Sequence, residues 1–309
     1  MSIRPLSKEL QAKAIAELNE KPDRVREDIE YMKEWLKKQP HLPRDIDDQF
    51  ILTYLRGCKF SLEKTKIKLD AFYTLRGMLP EFFSNRDPFN KDVQEVLKLG
   101  IALPGIKSAT PDSPRLLIQR TVPDPNAVKM ETIFKVNMML ADIMVREDDQ
   151  CLIGGLIIFN DTTGITLSHM THMTPSIAKK SMTYWQNALP NRPKEMHFFN
   201  IPTFFDTMMS MIKPFLNEKM QKRMHIHNTN RIEEMYKHIP KALLPTEYGG
   251  DAGPIQDLID YWKKKVEDYA PWFKGDAKRF SDESKRPGRP KTATDLFGME
   301  GSFRKLNVD

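Results

Sequence analysis

The chain has 309 residues, 40% hydrophobic and 29% charged, with 48 Lys and Arg against 42 Asp and Glu for a formal net charge of +6, and its mean hydropathy is −0.53. At about 150 residues per domain this is two domains' worth of chain, long enough to bury a sizeable core, and its composition excludes wholesale disorder. The most apolar run, 151–159, is far shorter than the roughly 20 residues of a membrane-spanning helix, the opening MSIRPLSKEL has no apolar signal region, and two cysteines, Cys58 and Cys151, exclude a disulfide framework.

These features predict a soluble, cytoplasmic, monomeric protein, and the basic excess points to an anionic partner. Residues 1–100 read as helices. Ala12, Ile15, Ala16 and Leu18 form a first stripe. Pro22 opens a second helix carrying Val25, Ile29, Met32 and Leu36, stopped by Pro40 and Pro43. Phe50, Ile51, Tyr54 and Leu55 begin a third, ended by Gly57. Ser61 caps a fourth, with Ile67, Leu69, Phe72, Tyr73 and Leu75 as a broad apolar face.

The pattern then changes. Short apolar runs at 116–118, 152–159, 196–199 and 224–226 alternate with helix-length segments at 127–144, 175–189 and 203–224. Buried strands alternating with helices predict an α/β layer with a largely parallel sheet. The turn-rich PTEYGGDAGP (245–254) closes that unit, and 255–269 is one more amphipathic helix. The predicted organisation is a helical module (1–95), an α/β domain (96–254), and a terminal helix with an extended basic tail (255–309); from 275 on the tail reads as either a strap or a disordered end, with Leu296, Phe297 and Phe303 as the residues to pin it to the body.

No nucleophile elbow, phosphate-binding loop, dinucleotide fingerprint or H-E-x-x-H is present. His225 and His227 share one face of a predicted strand. They and the pair His169 and His172 are read as core or loop histidines, because no cysteine or carboxylate has matching spacing; no metal is expected. KRPGRPK (285–291) is read as a solvated basic strap, and no nucleic-acid partner is expected.

Two constellations remain. Segment 203–215 is apolar on nearly all sides, with Phe205, Met208, Met209 and Ile212 on one stripe and Phe204, Met211 and Phe215 elsewhere. Such a helix is either core or a wall facing an apolar ligand. Thirteen of the 18 methionines fall between Met130 and Met224, and methionine suits a surface that adapts to an apolar shape. The second constellation is basic. Arg192 and Lys194 precede one predicted strand; Lys219 and Arg223, four apart, precede another. If those strands are parallel, both pairs lie on one sheet edge. There they either hold a phosphorylated headgroup or decorate a helix C-terminus.

These residues carry a resemblance. FILTYLRGCKFSLEKTKIKL (50–69) contains the L-R-x-x-x-F element of a helical N-terminal module. ALPNRPKEMHFFNIPTFFDTMMSMIKPFLNEKMQKRMHIHN (188–228) contains I-N-x-P-type and I-K-P-F-L elements, and IPKALLPTEYGGDAG (239–253) contains L-P-x-E-Y-G-G. With these three motifs in order, residues 45–265 resemble the CRAL-TRIO lipid-transfer family, whose members bind tocopherol, retinoids and similar molecules. The tail DLFGMEGSFRKLNVD (295–309) resembles that of the family's insect branch.

The resemblance implies a helical module on an α/β sandwich enclosing an apolar cavity, with a lid helix at 203–215. It implies non-enzymatic transfer of one hydrophobic molecule between membranes, with no cofactor and only transient, peripheral membrane contact. A phosphoinositide-sensing adaptor without cargo and a lipid-modifying enzyme are the alternatives. Family members of the tocopherol type bind phosphatidylinositol bisphosphate in a basic cleft; the matching positions are Arg192, Lys219 and Arg223, with Lys194 beside them. Relatives often carry a second arginine where this chain has Cys58, next to Lys59. The expected cavity lining is Phe134, Asn137, Met138 and Ala141, then Leu156, Ile158 and Asn160, then Tyr184, Trp185 and Leu189. Asn137, Asn160 or Tyr184 either bonds a ligand's polar group or is a structural polar residue.

Overall fold

A computed structural model describes residues 3–227 and 232–298. Six helices come first: α1 (Lys8–Leu18), α2 (Val25–Lys37), α3 (Asp48–Gly57), α4 (Leu62–Met78), α5 (Pro80–Phe83) and α6 (Lys91–Leu99). The predicted α2 stripe is buried in full at Val25, Ile29, Met32 and Leu36. Side-chain caps start the next two helices: Asp47 accepts from the Phe50 amide at 2.8 Å, and Ser61 accepts from the Lys64 amide. In α1 the buried residues are Leu10, Ala14 and Leu18, whereas Ala12, Ile15 and Ala16 are exposed. This helix packs along one narrow stripe against Ile153, so it covers one residue per turn rather than a broad face. Ile67 of α4 is likewise exposed.

Five strands follow, β1 (Ala102–Pro104), β2 (Arg115–Arg120), β3 (Leu156–Asp161), β4 (Pro193–Phe199) and β5 (Met224–Ile226), in the spatial order of the sequence. β1 pairs antiparallel with β2, and every other pair is parallel. Between them run α7 (Met130–Glu147), α8 (Asp149–Gly154), α9 (Leu167–His172), α10 (Pro175–Asn187), α11 (Phe205–Ile212) and α12 (Glu218–Gln221). When parallel strands follow one another in sequential order, crossovers of one hand all fall on one face of the sheet. That rule places α7, α10 and α11 over the same face. On the other face the Phe159 and Tyr248 rings lie 5.0 Å apart. α13 (Ile255–Asp268) and α14 (Ala270–Asp276) close the body, and α15 (Ala293–Phe297) ends the described chain.

Two predicted segments are divided. In 152–159, Asp148 caps a short helix by accepting from the Cys151 amide at 2.9 Å, and the strand begins only at Leu156. The break is Gly155, at φ +96, where a Cβ would stand 2.6 Å from the Arg192 carbonyl oxygen. In 203–224, Pro214 sits in a 3-10 turn (Lys213–Phe215), and Asn217 caps the separate α12. β1, three residues long, is too short to show alternation.

Within the described residues the tail is a strap held to the body. The Ser281 amide donates to the Tyr73 carbonyl and the Asp282 amide to the His41 carbonyl, at 3.1 and 2.8 Å. Phe297 is buried with Leu296 against the N-terminal core; Phe303 lies outside the described residues. Two cations of the KRPGRPK segment are engaged internally, since Arg286 and Lys291 reach Asp70 at 2.6 and 2.8 Å.

That anchor carries a pH dependence. Burial works to raise the Asp70 carboxyl, but Arg286 and Lys291 outweigh it and hold it well below the usual range. Burial acts the same way on Glu283, and bonds from Arg286 and Ser281 bring it down to about 2. His41 also faces Asp70, at 3.2 Å. A carboxylate depressed by folding stabilises above its unfolded pKa of about 4, and loses that contribution as pH falls towards its folded value. Stability measured in urea should therefore fall between about pH 4.5 and 2.5. Asp70→Asn should flatten that slope, and an unchanged slope would remove Asp70 from the account.

Candidate functional site

Between the sheet and the helices over it lies a cavity of about 260 Å³. Its floor follows from strand alternation: Leu156, Ile158 and Asn160 of β3 face it, with Met196 and Phe198 of β4 beside them. One wall is α7, which presents Phe134, Asn137, Met138 and Ala141. Another is α10, with Trp185, and Leu189 just beyond its end. Thr174 caps that helix by accepting from the Ile177 amide, and Pro175 occupies its first turn. Met208, Met209 and Ile212 of α11 complete the enclosure.

Among the described residues the lining holds no charged side chain; its polar members are Gln119, Asn137, Asn160, Ser181 and Asn191. Two of these are already hydrogen-bonded within the protein. Asn160 donates its amide to the His197 carbonyl at 3.0 Å, and Ser181 donates to the Ala178 carbonyl at 3.0 Å. Asn137 differs, because its Oδ1 is buried with no hydrogen-bond partner. An unsatisfied buried acceptor costs about 1–3 kcal/mol, which a donor arriving with a ligand would recover. Cys151 also lines the cavity, but burial pushes its thiol well up, so it is no ready nucleophile.

Two expectations need correction. Tyr184 does not line the cavity. Successive helix residues point about 100° apart, so with Trp185 facing the cavity, Tyr184 turns into the N-terminal core, its ring 4.7 Å from Phe83. The expected lid residues Phe204 and Phe205 lie at the start of α11, away from the lining. Phe204 is the half-buried N-cap of α11, and Phe205 is buried with its ring 5.5 Å from Phe198. Nor is the lid segment apolar all round: Asp206, Thr207 and Ser210 are exposed on the outer side of α11. Met208 and Ile212 also border a second cavity of about 250 Å³, so they stand between the two spaces.

The basic residues gather at one sheet edge, as parallel β4 and β5 require. Arg192 donates to the Ile153 carbonyl and, at 2.8 Å, to Glu17, which Lys194 also reaches at 3.0 Å. Arg223 donates to the Pro193 carbonyl. Lys219 is exposed, and its ammonium is shifted down by partial burial and then by the neighbouring charges of Arg223, Lys59, Arg192 and Lys194. Four cations acting on a fifth define a concentrated positive patch. Gly57 brings α3 to this edge, since a Cβ there would lie 2.6 Å from Pro190.

Two participants escaped the sequence reading. Glu17, from α1, sits within the patch; burial works against its charge, yet Arg192, Lys194 and Lys13 hold its carboxyl down to about 2. Lys68 donates to the Gln186 and Leu189 carbonyls at 2.9 and 2.8 Å, capping the end of α10. Neither contact has a local sequence signature. Arg56 is buried and bonded to Glu20 at 2.8 and 3.1 Å, so it is withdrawn from the patch.

Among the described residues no helix is long and apolar enough to cross a membrane. The family model described as "CRAL/TRIO domain" matches residues 113–250, and one described as "Pinta-like, UBA domain" matches 21–93. The alpha-tocopherol transfer protein-like protein of Mus musculus is 32% identical over 254 residues, covering 81% of this chain and 72% of that protein. Clavesin-1 of Rattus norvegicus is 28% identical over 252 residues, covering 81% and 70%. Among solved structures, the crystal structure of Sfh5 is similar at a TM-score of 0.45 and 14% identity, covering 75% of this chain and 88% of that one. The family model over residues 113–250 and the 32% identity to the tocopherol-transfer-type relative, on a helical module followed by a largely parallel sheet, lead to one conclusion: the chain belongs to the CRAL-TRIO family.

Proposed function

We propose that this protein binds one small hydrophobic molecule, of the tocopherol, retinoid or carotenoid class, and transfers it between membranes without chemistry. The observation that carries the reading is the cavity: apolar walls around open space, no charged group among the described lining residues, and an unpartnered buried acceptor at Asn137. A cargo burying about 400 Å² would gain roughly 10 kcal/mol gross at ~25 cal/mol/Å². Immobilisation and ordering offset several kcal/mol of that, which leaves affinity in the nanomolar to micromolar range. Release is then the slow step. In this reading the patch of Arg192, Lys194, Lys219 and Arg223 docks on phosphatidylinositol bisphosphate at a cytoplasmic membrane surface. Docking favours a state in which α11 swings away and the cargo leaves.

The test is transfer of a fluorescent cargo between liposomes, with and without bisphosphorylated inositol lipid in the acceptor. The lipid should speed transfer several-fold, and Arg192→Ala/Lys219→Ala should abolish that gain while leaving cargo affinity unchanged. Glu17→Gln should enhance it by freeing two cations. Equal rates with and without the lipid would reject the coupling. Mass spectrometry of organic extracts from native protein checks the cargo itself. Protein free of lipid that still binds phosphoinositide vesicles would favour the adaptor, and chemically altered cargo would favour the enzyme.

A further inference from the structure

On the reverse of the sheet, four histidines meet. In β4, Met196 and Phe198 face the cavity, so alternation turns His197 to the other side, where it is fully buried. The β4–β5 register places His225 opposite His197, and their rings stack at 4.9 Å. His227, two residues on, stacks at 5.3 Å, and His238, just after the 3-10 segment Ile232–Lys237, lies at 4.7 Å. One ring nitrogen each from His197, His227 and His238 lies within 4.8 Å of the others. His227 is half-buried and His238 exposed, so the group opens to solvent on one side.

We propose that His197, His227 and His238 form a binding site for a divalent transition-metal ion of the zinc type, with Glu195 orienting the buried ligand. The contacts assign the roles. His197 Nε2 lies 2.9 Å from a Glu195 carboxylate oxygen, which can only accept, so that nitrogen carries the proton. Its Nδ1 lone pair then faces His227 Nε2 at 3.0 Å. A ligating imidazole that donates its other N–H to a carboxylate is the usual arrangement around zinc. Tetrahedral ligands at about 2.0–2.1 Å from the ion stand roughly 3.3 Å apart. The His197–His227 pair is already close to that spacing, and the exposed His238 ring closes the remainder by rotation. On loading, the proton on His227 Nε2 moves to its Nδ1, so the ring stays neutral. Three nitrogen ligands leave a fourth position for water. The ion would tie β4, β5 and the turn at 232–238 together behind the strand that carries Met196 and Phe198.

The full-length chain, stripped of metal, is titrated with Zn²⁺ by calorimetry and with Co²⁺ by visible absorption. The expected results are one Zn²⁺ per chain and the intense absorption of tetrahedral Co²⁺. His227→Gln/His238→Gln should weaken binding by at least about a hundredfold, and Glu195→Gln by about tenfold. Both mutated histidines are partly exposed, so folding is preserved and circular dichroism verifies it. His169→Gln, in α9 and outside the cluster, should bind as the parent does. No stoichiometric binding by the parent, or undiminished binding by the double variant, overturns the site and leaves the cluster as stacked packing.

Discussion

Replacing Asp142 with alanine is expected to lower the free energy of unfolding by about 3–5 kcal/mol. Asp142 belongs to a buried ring of four charges. Arg76 reaches it at 2.9 Å and Arg86 at 2.5 Å, and both guanidiniums also bond Asp276, Arg86 at 2.6 Å. All four side chains are at most 9% exposed. The cations are covered by aromatic faces: Arg76 stands 4.7 Å from both the Phe72 and Phe83 ring centroids, and Arg86 stands 5.2 Å from Phe273. Removing one carboxylate leaves two guanidiniums sharing one counter-charge in a space with little water, which is far more costly than losing an exposed pair. The ring joins α4, α7, α14 and the loop after α5. It therefore clamps α7, whose Ala141 faces the cavity, against the helical module. Urea unfolding of the variant measures the effect. A loss below about 1 kcal/mol would reduce the ring to the standing of a surface ion pair.

The ring also shows what local pattern cannot convey. The α2 stripe, the cap at Ser61 and the three family motifs were legible because each is a local rule: helical period, cap chemistry, turn composition. Alternation groups Leu156, Ile158 and Asn160 on one face of β3 but does not say which face; the structure turns that face to the cavity. Tyr184 and Trp185 were not separable, because both faces of α10 are buried, one on the cavity and one on the N-terminal core. Periodicity marks a face as apolar without saying whether protein or empty space lies beyond it. The histidine cluster was half-legible. His225 and His227 stood out on one strand, but His197 and His238 join them only through strand pairing and a turn. Glu17 in the basic patch is the plainest such case, because it lies 175 residues from Arg192 along the chain.

That same ambiguity between core and cavity makes cavity filling the decisive functional experiment. Ala141→Trp combined with Ile158→Phe places two rings into the space between α7 and β3. In a solid core, overpacking on this scale costs about 1–3 kcal/mol per site. In a hollow one the added atoms gain contacts that the vacant space withholds, so thermal stability should hold or rise. Cargo, by contrast, should be excluded. Most of the roughly 10 kcal/mol of gross burial energy depends on the volume now occupied, and affinity for a fluorescent retinoid or tocopherol should fall by at least about a hundredfold, or ~2.7 kcal/mol. Asn137→Leu refines the result. It removes the unpartnered acceptor while keeping the walls apolar, so it should weaken a hydroxylated cargo by about 1–3 kcal/mol and spare its deoxygenated analogue. The pairing of retained stability with lost binding is what distinguishes a transport cavity from loosely packed core. A double variant that unfolds early, or one that still extracts lipid from membranes, would place the cargo elsewhere in the molecule.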